Sequence, residues 1–378
     1  MEAPIHRYRI VTFAYLLMGV VITGCSPSRE PASSDSASTA SPSTRAGTKR
    51  IVLLNNTDSP FWDAAKAGIE QAASDLKISD KQFVAGMDSN DGTEQGQIEK
   101  LRQYGTQSDI AAVIISPISA TNPAIADELR KLKAKGVLIG CFDSDLSGSA
   151  QSIREFYVGT NNVQAGEVLA TAANNLRPTG GGYVQFVGTD SQQNAIQRMD
   201  GFTSEANEKF VQKDRRLDDA DRARARDNVR DSIDKYPDLT TLVGIWSYNA
   251  PAIVDVIKEK GVRDRLTILT FDAEQLAIQQ MTDGMIDAMV VQNPFGMGYE
   301  SVRYVFAKLN GDEETVLKMF PNMNSPGGNV FDTGLKMVVP NTDTPLQKEM
   351  FEAYGDDLQF MTLGEFKEWL AKYKLTCS

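Results

Sequence analysis

Short apolar runs alternate with helical patterns along most of the chain. "RIVLLN" (50–55) leads into "FWDAAKAGI", where Phe61, Ala65, Gly68, Ala72 and Leu76 recur every three or four residues, the spacing of one helix face. "QFVAG" (82–86) precedes a helical stretch carrying Ile98, Leu101 and Tyr104. "IAAVIIS" (110–116) precedes "NPAIADELRKLKAKG", and "VLIGCFD" (137–143) follows it. Unbroken apolar runs predict strands covered on both faces. Strand and helix in turn predict a parallel sheet flanked by helices.

The pattern then restarts. "GYVQFVG" (182–188) leads into "TDSQQNAIQRMDGF", echoing the first opening, with "AGI" answered by "DGF". "LTTLVGIWS" (239–247), "LTILTFD" (266–272) and "IDAMVVQNP" (286–294) are later strands, and the weakly apolar "KFVQKDRRL" (209–217) takes the place of the second lobe's second strand. The expected class is α/β, with two similar Rossmann-like lobes in succession. The stretches "LQKEMFEAY" and "LGEFKEWLAKY" near the end read as amphipathic helices packed on a lobe.

The N-terminal 46 or so residues have another character. Arg7 and Arg9 precede thirteen apolar residues (10–22), too few to span a bilayer and suited to a signal-peptide core. "ITGC" then resembles a lipobox, so residues 1–24 are expected to be a lipoprotein signal peptide and Cys25 the lipidated residue. Residues 25–48 are rich in Ser, Pro, Thr and Ala and predict a disordered tether. These features point to the periplasm or another cell-envelope face, with the membrane reached only through a lipid anchor.

Composition removes several function classes. The formal charge of −11 disfavours nucleic acid as a partner. The only histidine is His6, within the signal segment. The body therefore has no means for Ser-His-Asp or Cys-His catalysis, or for histidine metal sites. No GxxxxGK or GxGxxG motif occurs, and no metal, cofactor or catalytic residue is assigned. Cys141, in an apolar run, reads as a buried thiol; a disulfide to Cys377 is the lesser reading.

Ligands of open parallel sheets bind at the carboxyl ends of the strands. There the first lobe supplies Asn55, Asn56, Asp58, Ser116, Asp143 and Asp145, and the second Thr189, Asp190, Tyr248, Asn249, Asp272 and Gln292. Amides and carboxylates in fixed directions suit vicinal hydroxyls, and aromatic faces suit the C–H side of a sugar ring. Because none of these groups ordinarily titrates between pH 6 and 8, affinity is expected to be flat there.

In several stretches the chain from about 49 to 340 resembles the ribose/galactose-type (type I) periplasmic sugar-binding proteins that feed ABC importers. "LLNNTDSPFWDAAKAGI" resembles their opening strand and paired ring-stacking aromatics, here Phe61 and Trp62. "GVLIGCFDSD" and "LTILTFDAEQ" resemble the strands ending in ligand aspartates, here Asp143 and Asp272. "QRMDGF" matches the segment carrying the cleft arginine, here Arg198, and "DGMIDAMVVQNPFGMGYES" a crossover ending in the cleft glutamine, here Gln292. "YVGTNNVQAGEVLA" is similar to the first crossover. Tyr248-Asn249 stand where the family has an amide–aspartate pair, and Ser144-Asp145 where a basic residue often follows the aspartate.

The resemblance implies the type I periplasmic binding protein fold, with a three-segment hinge joining a lobe of residues 49–160 and 293–328 to one of residues 161–292 and 329–378. It implies a monomeric, non-enzymatic receptor that clamps a pentose or hexose and delivers it to an ABC permease of the inner membrane. Asn55, Phe61, Trp62, Ser116, Asp143, Asp145, Arg198, Tyr248, Asn249, Asp272 and Gln292 are then the expected ligand contacts. Two other uses share these features: a sensory subunit presenting sugar to a membrane receptor, and a glycosidase using Asp143 with Asp145.

Overall fold

The computed structural model describes residues 47–378; the signal segment, most of the tether and Cys25 lie outside the described residues. The first lobe opens with β1 (Lys49–Leu54), α1 (Phe61–Asp75), β2 (Phe83–Asp88), α2 (Glu94–Gly105), β3 (Ile110–Ile115), α3 (Pro123–Ala134), β4 (Leu138–Phe142) and β5 (Phe156–Gly159). The second runs through α4 (Asn162–Leu176), β6 (Gly181–Val187), α5 (Gln193–Glu205), β7 (Phe210–Leu217), α6 (Arg222–Lys235), β8 (Leu239–Gly244), α7 (Asn249–Lys260), β9 (Thr267–Phe271), α8 (Gln275–Thr282) and β10 (Ala288–Val291). The chain returns to the first lobe as α9 (Pro294–Asn310), α10 (Glu313–Met319) and β11 (Val330–Asp332), then ends in the second as β12 (Leu335–Val339), β13 (Leu358–Thr362) and α11 (Leu363–Lys372).

The sheet orders are β11-β5-β4-β3-β1-β2 and β13-β12-β10-β9-β8-β6-β7. Stripped of the late strands, both have the same order around the lobe's first strand, and every pairing but β10–β12 is parallel. Each sheet thus has a switch point, between β1 and β3 and between β6 and β8, where loops diverge and leave a crevice. Apolar side chains on both faces of each sheet form cores such as Ile51, Leu53 and Ile114 with α1 and α9, and Val243, Leu269 and Phe271 with α4 and α5.

The lobes repeat one packing device. A Cβ on Gly68 of α1 would strike the Phe295 carbonyl of α9, and one on Gly298 of α9 would strike the Ala65 carbonyl of α1. In the second lobe Gly201 of α5 faces Val163, and Gly166 of α4 faces the Arg198 carbonyl. The echo of "AGI" in "DGF" is therefore a repeated helix contact, in which glycines let two backbones touch.

Two expectations are corrected here. Val330–Asp332 pair with Tyr157–Gly159, so the third crossing falls at residues 333–334 and not at 328–329. "LQKEMFEAY" forms no α-helix: residues 348–357 make 3-10 turns interrupted at Gly355. A strand unforeseen in the sequence, β13, follows and pairs parallel to β12. Cys141 and Cys377 are free thiols, both buried. No helix of the described residues is long and apolar enough to cross a membrane.

Candidate functional site

The two switch points face each other across a cavity of about 170 Å³ that opens to solvent between the lobes. From the first lobe the loop after β1 supplies Asn56–Ser59, α1 supplies Phe61 and Trp62, and the end of β4 supplies Asp143. The second supplies Gln192, Asn194 and Arg198 near α5, Trp246–Tyr248 after β8, Asp272 and Glu274 after β9, and Gln292 after β10. Among the described residues no group of three or more His, Cys, Asp or Glu side chains is placed to hold a metal ion.

Asp143 and Asp272 occupy matching positions, one residue past β4 and past β9. Both have left-handed backbone conformations, with φ of 59° and 62°, which aspartate tolerates better than most residues. Ser116 Oγ donates to Asp143 Oδ2 at 2.7 Å, and Tyr157 Oη donates to the Asp143 carbonyl at 2.7 Å. Gln292 Nε2 donates to Asp272 Oδ1 at 2.9 Å, while Thr160 Oγ1 donates to Gln292 Oε1 at 3.0 Å.

Arg198 is buried on α5 and held from both sides. Its Nε donates to Asn162 Oδ1 at 3.0 Å and its Nη1 to the Ile245 carbonyl at 3.1 Å. The guanidinium lies over the Phe271 ring, and Nη1 is 3.6 Å from Asp272 Oδ2. Arg198 Nη2 and Asn194 Oδ1 are buried with no partner among the described residues. A buried polar atom without a partner is costly, and a ligand hydroxyl can satisfy both kinds, since it donates and accepts.

Burial dominates the electrostatics. It pushes the Asp143 carboxyl up to about 6, against the opposing pull of Arg198. It also raises Asp272, despite the same arginine. This desolvation removes the premise behind an affinity flat between pH 6 and 8, that no cleft group is strongly perturbed. Asp218, behind the Tyr248 hydroxyl that donates to it, is likewise raised to about 6 by burial.

Of the expected contacts, Phe61, Trp62, Asp143, Arg198, Tyr248, Asp272 and Gln292 line the cavity together. Four do not. Asn55 turns away, and its Oδ1 accepts from the Asn90 amide at 2.7 Å; the neighbouring Asn56 faces the cleft instead. Ser116 lies one layer back, between Asn56 and Asp143. Asn249 is spent on the Trp246 amide and on Asp218. Asp145 makes a two-pronged ion pair with buried Arg154, at 2.6 and 2.7 Å.

Other cavity residues had no motif to mark them. Asn194 sits in the first turn of α5 and faces Asp143 at 3.5 Å. Glu274 accepts from Ser247 Oγ at 2.9 Å and pairs with Arg222 at 3.3 Å. A Cβ at Gly188 would overlap the Trp246 ring, so this glycine seats the indole. The polar run "SQQN" at 191–194, at the start of a helix opposite "NNTDS", was the available signal.

Residues 50–313 match a model described as the periplasmic binding protein domain. The chain belongs to the periplasmic binding protein family. Solved structures similar to this periplasmic binding protein include an ABC transporter solute-binding protein from Burkholderia graminis in complex with D-arabinose, with 21% identity and a TM-score of 0.68 over 78% of this chain and 98% of that one. Another is GanP, a glucose-galactose binding protein from Geobacillus stearothermophilus, with 18% identity and a TM-score of 0.66 over 77% and 97%. A third is a solute-binding protein from Agrobacterium vitis with bound D-fucose, with 22% identity and a TM-score of 0.66 over 77% and 95%. At these identities the likeness is one of fold. No curated protein matches the sequence.

Proposed function

We propose that this protein is a lipid-anchored receptor of the periplasmic face that captures a monosaccharide, a pentose or hexose, between its lobes and delivers it to an ABC permease without altering it. The observation that carries this reading is the pairing of unsatisfied groups with rings. Among the described residues Arg198 Nη2 and Asn194 Oδ1 lack partners beside the Asp143 and Asp272 carboxylates, and Trp62 and Trp246 line the same cavity from opposite lobes. A polyol meets that demand: its hydroxyls donate to the acids and accept from the guanidinium, while its ring C–H face packs on an indole. The sugars bound in the similar structures, D-arabinose and D-fucose, are ligands of this kind.

Contacts from both lobes to one ligand give the closed arrangement an affinity the open one lacks, and that difference drives closure. The test is a thermal-shift screen against pentoses and hexoses, followed by calorimetry with the best ligand. A ligand at 100 times its Kd adds about 2.7 kcal/mol to stability. Asp143→Ala and Asp272→Ala should each weaken its binding by about 1.5–3 kcal/mol. No shift with any sugar, or full affinity in both variants, would refute the reading. Hydrolysis of a chromogenic glycoside would refute the non-enzymatic part alone.

A further inference from the structure

The matched domain ends at residue 313, yet residues 377 and 378 bond the backbone of Pro60, Ala273 and Gln292, at or beside residues that line the cavity. Helix α11 packs in the second lobe through Leu363, Phe366 and Leu370. Beyond it, Tyr373 rests against Phe295 in the first turn of α9, with ring centroids 5.2 Å apart. The chain turns at Lys374, with φ of 56°, and runs on to Pro60 of the first lobe and Ala273 of the second. Cys377 Sγ donates to the Pro60 carbonyl at 3.1 Å, immediately before Phe61 and Trp62. Ser378 makes paired backbone bonds with Ala273, N to O at 3.2 Å and O from N at 2.7 Å. Its Oγ donates to the Gln292 carbonyl at 3.0 Å. Cys377 and Ser378 are only 5% and 1% exposed.

One short segment therefore touches both lobes and the backbone of three ligand-facing stretches: the aromatic turn at 60–62, the acidic loop at 272–274, and the crossing at 292. We propose that residues 373–378 are a strap that fastens the lobes beside the cavity and shifts the open–closed equilibrium towards closure. The strap is anchored to the second lobe by Ala273 and Gln292. Separating the lobes must pull Pro60 from Cys377, wet a buried thiol and peel Phe295 from Tyr373. Each is a cost borne only by the open form, which is what biases a two-state element.

The experiment uses no sugar, so its outcome is independent of the ligand assignment above. In the intact chain, iodoacetamide should label Cys377 at least about tenfold more slowly than in urea-unfolded protein, as read by mass spectrometry, since labelling requires local opening. Two variants then test the latch by small-angle scattering: a chain ending at Leu375, and full-length Cys377→Glu, which sets a carboxylate against the Pro60 carbonyl. Both should have a larger radius of gyration than the intact chain, with unchanged circular dichroism. Labelling of native Cys377 at the unfolded rate would overturn the proposal. So would folded variants whose scattering matches that of the intact chain.

Discussion

Arg198 and Asp272 face each other at 3.6 Å between Nη1 and Oδ2, both side chains almost wholly buried. Breaking such a pair from one side leaves an uncompensated charge, at a cost of about 3–5 kcal/mol. Arg198→Met should therefore destabilise the protein by an amount of that order. The double variant Arg198→Met/Asp272→Asn should recover part of the loss, because no lone charge remains. Urea denaturation of the four proteins measures the coupling. Additive losses would mean that the two groups do not sense each other.

Asp143 should make binding pH-dependent. It faces Arg198, Ser116, Asn194 and the Asp272 carboxylate, and burial holds its pKa near 6. A hydroxyl donating to the carboxylate favours the ionised form, so binding should release protons near pH 6 and affinity should rise from pH 5 to 7.5. Calorimetry in buffers of different ionisation enthalpy reads the release directly. Asp143→Asn should abolish it, whereas Asp218→Asn should leave most of it.

The same shift has a stability sign. A carboxyl whose folded pKa is raised favours folding when protonated. Its contribution is full below the ordinary value of 3.8 and is lost as the pH rises through about 6. Asp143→Asn should thus be more stable than the parent at pH 7.5, and the advantage should vanish near pH 4. Thermal melts at the two pH values compare them.

Gly188→Ala should damage the site more than the fold. The added methyl overlaps the Trp246 ring and crowds the Tyr248 hydroxyl, two side chains that line the cavity. Overpacking of this kind costs about 1–3 kcal/mol of stability. Sugar affinity should fall at least about tenfold, because the displaced ring occupies ligand space. In contrast, Gly201→Ala wedges α5 from α4 at a backbone contact and should cost stability first, with loss of affinity following from displacement of Arg198 on the same helix.

Asp145→Asn separates the ion-pair role from a ligand role. Its partner Arg154 is buried, so removing the charge should lower stability while leaving sugar affinity within about twofold. A large loss of affinity with unchanged stability would place Asp145 in the site after all.

How far the site could be read in advance differs residue by residue. Asp143 and Asp272 each end an apolar run, and the carboxyl end of a parallel strand faces the crevice whatever its neighbours do. Trp62 lies off the apolar stripe of α1, and only the family resemblance pointed it to the cleft; the structure sets one side against Phe142 and another in the cavity wall. Asn55 and Asn56 could not be separated, because consecutive side chains leave a strand on opposite sides and only the register with β2 and β3 decides which side is the cleft. Asp145 looked like a second acid until Arg154, nine positions on, closed on it. The strand β13 was hidden because Leu358–Thr362 alternates weakly and gains its place only from the edge that β12 presents.

The sequence alone determined the α/β class, the two successive lobes and the chemistry available to the cleft, since these follow from local periodicity and from which residue types are present or missing. The tertiary structure decided which acid faces the ligand and which is neutralised, how far burial raises Asp143, and that the last residues reach Pro60, Ala273 and Gln292. Those outcomes depend on partners distant in the chain and on the exclusion of water, and neither leaves a trace in local pattern.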